Sequence, residues 1–231
     1  MHPRPPRPVA RLNHQPSPLI IMNSIRSLVS SLAIIALTGG ASAADPPSED
    51  SLLATLASDA GVREKAVACQ HLANWGTAKS VPALAALLSD EKLSDYARSG
   101  LEVIDDPSAA AALRDALPKL KGRLLAGAVN SLGVRKDTAA IPALSRMATD
   151  PKSGVAAEAM TALALIGTPE SVKPIHQVLT KGPADLRIPA GHAALLGAEQ
   201  LQKAKDGTTA EVLLQAVATA DLPAHIKAAA K

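Results

Sequence analysis

From residue 51 onward, apolar positions recur at helical spacing, and the segments that carry them return. In "VPALAALL", Val81, Leu84, Leu87 and Leu88 fall on one helical face. In "VREKAVACQHLANWG", Ala66, Cys69, Leu72 and Ala73 do the same. The stretch "GTAKSVPALAALLSD" at residues 76–90 comes back as "GVRKDTAAIPALSRMATD" at 133–150 and as "GTPESVKPIHQVLTKG" at 167–182. Leu53, Leu84, Leu113, Leu144 and Ile175 hold the same place in successive units, at steps of 31, 29, 31 and 31 residues. Leu213 follows after 38, with "EQLQKAKDG" as the insertion. Each unit holds two helical patterns. A pair of antiparallel helices cannot bury its apolar face alone, so the units must stack. The pattern predicts an all-α α-solenoid of about five to six antiparallel helix pairs.

The residues between the helices sharpen this. Ser48 or Ser51 caps the first helix, and Thr77 and Thr168 cap later ones, with Pro169 at a first helical position. Gly76, Gly133, Gly167 and Gly197 are read as helix ends, where a left-handed residue costs little. Pro82, Pro142 and Pro174 lie about one turn inside the first helices and predict a kink or a late start. The unit at 94–122 is degenerate: it has "DDPSA" in place of a terminal glycine, with Ser108 as the expected cap. The last residues, "HIKAAAK", begin like another second helix.

Composition agrees with helices. Ala and Leu dominate, the chain has no Phe, and Trp75 and Tyr96 are its only aromatic residues of the Phe, Tyr and Trp type. Charge first points elsewhere, with a pI near 9.1. However, Arg4, Arg7, Arg11 and Arg26 are the only charged residues before Ala44. Without these four of the 24 Lys and Arg, 20 stand against 21 Asp and Glu, so the body is near neutral and has no field to gather phosphate backbones. Residues 22–44 have the order of a secretory leader. Arg26 comes first, then an apolar stretch over 28–37, then Gly39 and Gly40, then Ala41, Ser42 and Ala43 as a small-x-small site. This predicts cleavage after Ala43 and a periplasmic or secreted product. Residues 1–21 are Pro-rich and read as a disordered extension or a mis-assigned start before Met22. Residues 44–50 form a polar linker, and 51–231 form the repeat domain.

The run G-x-x-x-x-V-P-A-L-x-x-L-L-x-D at 76–90, its echoes around Pro142 and Pro174, and "VREKAV" and "VAAEAMTALALIG" resemble HEAT repeats, in particular the short bacterial PBS-lyase HEAT-like kind. The resemblance covers residues 51–231. It implies a right-handed superhelix whose second helices line the concave face. It says little about activity, since such repeats serve unrelated purposes.

Chemistry-bearing residues give no catalytic or cofactor signature. Cys69 shares its column with Leu101, Val129, Met160 and Ala190, so it reads as a core residue. His71 and His192 occupy equivalent columns and His176 lies on a first helix, none at metal-ligand spacing. No nucleophile elbow, phosphate loop or dinucleotide fingerprint appears. We expect no cofactor, no metal and no enzyme. The clusters at 119–123 and 135–137 read as solvated loops.

One position beyond the Cys69 column stand Gln70, Glu102, Asn130, Thr161 and Gly191, mostly polar, with Arg63, Arg123 and Glu158 nearby. This mixed face suits a protein partner or an extended polar ligand, and its lack of aromatics disfavours nucleobases. The expected role is an exported, non-enzymatic scaffold for a protein partner. The alternatives are a repeat segment of a larger secreted protein, carbohydrate-related or haem c, and, further off, a bilin lyase-like tetrapyrrole handler or a HEAT-fold DNA repair enzyme.

Overall fold

The computed structural model describes residues 46–231. The predicted extension, leader and cleavage site lie outside the described residues. Among these residues, twelve α-helices alternate in two rows, with no strand. The first helices are α1 (Glu49–Ala57), α3 (Val81–Ala86), α5 (Pro107–Ala116), α7 (Ile141–Thr149), α9 (Pro169–Lys181) and α11 (Gly207–Thr219). The second helices are α2 (Val62–Trp75), α4 (Ser94–Val103), α6 (Gly122–Val134), α8 (Ala156–Ile166), α10 (Ala184–Lys203) and α12 (Ala224–Ala228). Each second helix from α2 to α8 packs on the next one, α2 on α4 through to α8 on α10, and each second helix closes on its own first helix. The result is the α-solenoid that the repeats predict. None of these helices is long and apolar enough to cross a membrane.

The shared core lies between the rows. Leu84, Leu113, Leu144 and Ile175 are wholly buried and Leu213 almost so. In α1 the inward places go to Leu52 and Leu56, while Leu53 is half-buried at the edge. The first step of the repeat is therefore set one residue earlier than the sequence pattern suggests. The Cys69 column is buried throughout, from Cys69 to Ala190.

The punctuation differs from expectation in instructive ways. Pro82 and Pro142 give late starts, since short 3-10 turns over Ala78–Ser80 and Thr138–Ala140 precede α3 and α7. Pro174 does not delay its helix: Thr168 and Ser171 form a capping box, Pro169 opens α9, and the helix runs through Pro174. Gly167 is the left-handed cap that was expected, at φ 65°. Gly76 ends α2 in extended backbone instead. Gly133 and Gly197 end nothing, because they lie inside α6 and α10. There the missing side chain matters for packing. A Cβ on Gly133 would fall 2.6 Å from the Cα of Ala162 on α8. The left-handed turns after these two helices go to Lys136 (φ 52°) and Lys205 (φ 64°). The 38-residue step is absorbed by α10, which continues for 20 residues. Ser48 caps α1, through the amide of Ser51. In the degenerate unit Asp106, not Ser108, caps α5: its carboxylate accepts the Ser108 amide at 2.8 Å.

Candidate interaction surface

The solvent side of the second-helix row carries most of the predicted residues. Arg63 and Gln70 are exposed on α2, Asn130 on α6 and Thr161 on α8, and Glu158 is half-buried in the first turn of α8. Thr161 donates to the Ala157 carbonyl of its own helix at 3.0 Å. Gly191 does not belong to this surface. It is buried, because Leu222 and Ile226 of the following unit close over it. The polar column therefore runs from α2 to α8 and stops at α10.

Two predicted residues, Glu102 and Arg123, are drawn into one network at the contact of α4 and α6. Arg123 donates to the Glu91 carboxylate at 2.8 Å and to Asp95 at 3.2 Å, and the first of these bonds holds its guanidinium pKa above the usual range. Asp95 also accepts from Arg98 at 2.6 Å. The Arg98 guanidinium lies between the two helices, 18% exposed, and donates to Ser131 Oγ at 3.2 Å and the Gly127 carbonyl at 3.3 Å. Ser131, fully buried, donates in turn to Glu102 at 2.6 Å. At the far end of the joint, Arg135 donates to the carbonyls of Leu101, Glu102, Ile104 and Asp106, at 2.5–3.1 Å. It satisfies the free acceptors at the C-terminus of α4 and places a cation against the negative end of that helix.

The loop at 135–137 is thus not simply solvated. Arg135 is half-buried, and the Asp137 carboxylate is largely covered and paired with Arg114 at 2.5 Å. Only Lys136 of the three is exposed. In the 119–123 cluster, Lys119 and Lys121 are exposed as expected. Sequence reasoning missed Arg98 and Arg135. The i,i+4 spacing of Arg98 and Glu102 was a signal available for the first; for Arg135 there was none, because its acceptors are main-chain atoms.

A second missed feature is apolar. Trp75, Val103 and Val134 are the last residues of α2, α4 and α6, and are 42%, 60% and 53% exposed. His71 stands beside Trp75, its ring 5.0 Å from the indole. On the opposite row, α9 and α11 leave a groove of about 360 Å³ between Val172, His176 and Val212, which opens into one of about 570 Å³ toward Thr180 and Gln215.

Burial pushes the Cys69 thiol up to about 11, far from a reactive thiolate. Among the described residues, no three His, Cys, Asp or Glu side chains come together in a way that could hold a metal. What the surface can do chemically is hydrogen-bond: amides and hydroxyls in a column, with ion pairs at one joint and apolar helix ends along one edge.

No curated protein gives a significant match to the chain. Residues 111–196, from α5 into α10, match the family model described as HEAT repeats. That stretch of the chain carries HEAT repeats, and stacked helix pairs of the same arrangement lie on either side of it.

Proposed function

We propose that this protein is an exported, non-enzymatic scaffold that binds a protein partner across its second helices. HEAT repeats form helical scaffolds for protein interaction, and this array offers an extended face rather than an enclosed pocket. The observation that carries the reading is the free polar column. The side chains of Gln70 and Asn130 are exposed and make no side-chain hydrogen bond within the described residues, so their amides are free to meet a partner's main chain. Arg63 and Thr161 extend the same row. Glu102 and Arg123 contribute less directly, since partners across the α4–α6 contact already engage them. Export rests on the leader-like order of residues 22–43.

Site-specific photocrosslinking tests the surface. A photoreactive phenylalanine analogue in place of Asn130 or Thr161 should trap one defined partner in the compartment to which the protein is exported. The same group in place of Gln177, exposed on α9, should trap none. Equal trapping from both rows would remove the case for the second-helix face. Export is tested separately by the N-terminus of the mature protein, which should be Ala44.

A further inference from the structure

The joints of the second-helix row are not built alike. At the α6–α8 joint the closure is by backbone approach: Gly133 lies on Ala162, where a Cβ would meet main-chain atoms. Further on, Gly197 of α10 leaves room for the side chains of Val172 and Leu213, with Ala164 of α8 in ordinary contact. At the α4–α6 joint, the corresponding space is filled by a guanidinium. A Cβ on Gly127 would meet Arg98 at 2.6 Å, so this glycine makes room for a charged group rather than for a neighbouring backbone.

Three arginines stitch this joint: Arg98 from one side, Arg123 and Arg135 from the other. The stitching is incomplete. The Nε atoms of both Arg98 and Arg135 are buried and make no hydrogen bond among the described residues. Opening an apolar joint exposes hydrocarbon to water and costs in proportion to area. Opening an ionic joint returns charged groups to water, and their hydration offsets much of what the pairs lose.

We infer that the α4–α6 joint is an ionic hinge, at which the array bends between residues 46–103 and residues 107–231 while the later joints stay closed. Two of its members, Arg123 and Asp95, are exposed on the partner-facing row. A partner that supplies a carboxylate to one, or a cation to the other, competes with the pairs that hold the hinge shut.

Paired nitroxide labels in the full chain test this. Cysteines introduced at Ser99 and Asn130 span the α4–α6 joint; Asn130 and Thr161 span the α6–α8 joint. All three positions are exposed, whereas Cys69 is wholly buried and escapes labelling. In 1 M salt, where the Debye length is about 3 Å, the distance distribution across α4–α6 should broaden about twofold, and that across α6–α8 should not change. Glu102→Gln should broaden the first at low salt. The apolar pair Arg98→Met with Glu102→Met should instead give a distribution that salt alters much less, since only the Arg123 pairs then remain to be screened. Equal widths across both joints at every salt concentration, or an unaltered salt response in the Met pair, would overturn the hinge.

Discussion

Joint α4–α6 and joint α6–α8 are adjacent, share one helix, and serve the same repeat. One is held by Arg98, Glu102, Ser131 and the Arg135 clamp; the other by Gly133 seated on the backbone of Ala162. The comparison teaches that one stacking geometry can be reached by two chemistries with different responses. Close packing is insensitive to salt and intolerant of added volume. Ion pairing is sensitive to salt and tolerant of small shifts, because surface and half-buried pairs contribute little net stability.

The largest effects should come from charges placed in the core on either side of the ionic joint. Leu84 in α3 and Leu144 in α7 are wholly buried. Leu84→Asp and Leu144→Asp should each cost about 4 kcal/mol or more, since a buried carboxylate has no partner there. If the ionic joint separates the two segments, Leu84→Asp should lose only part of the helical circular dichroism signal, and Leu144→Asp should lose most of it. Next comes Gly133→Val, which forces a side chain into Ala162 and should cost about 3 kcal/mol in thermal unfolding. Gly127→Ala should cost less, about 1–2 kcal/mol, because a flexible arginine can move aside. In an Arg98→Ala background most of that cost should vanish, and a double-mutant cycle measures the difference.

The smallest effect is local to the first units. Glu49 accepts hydrogen bonds from Ser80 Oγ at 2.6 Å and the Thr77 amide at 2.8 Å, and these hold its carboxyl below the usual range. Its contribution is present above the ordinary Glu pKa of about 4.5 and is lost as pH falls through the lowered value. Glu49→Gln should flatten the acid limb of stability between those two points, seen as a smaller shift of the unfolding midpoint below about pH 4.5.

Much of the fold was legible because it rests on period. Leu84, Leu113, Leu144 and Ile175 are buried where their spacing puts them, and Cys69 lies in the core because its column is apolar. Glycines were harder. The sequence reads Gly133 and Gly197 as helix ends, yet both serve contact with a neighbouring helix, and nothing local distinguishes the two uses. Caps were ambiguous for a similar reason: Asp106 and Ser108 both offer oxygens within one turn, and only backbone geometry selects Asp106. The polar column was legible through Thr161 and lost at Gly191, which the next unit covers. The Arg135 clamp was invisible, since its four acceptors are main-chain carbonyls, three of them in the preceding unit.

Native-state amide hydrogen exchange, resolved by helix and measured at low and high salt, distinguishes an array with an ionic hinge from one that is closed alike throughout. Two kinds of joint predict two exchange classes. Amides of α2 and α4 should open together, at a lower free energy than those of α8 and α10, and the gap should widen in 1 M salt. A single exchange class across α2 to α10, unmoved by salt, would contradict the division of this array into an ionic and a close-packed part.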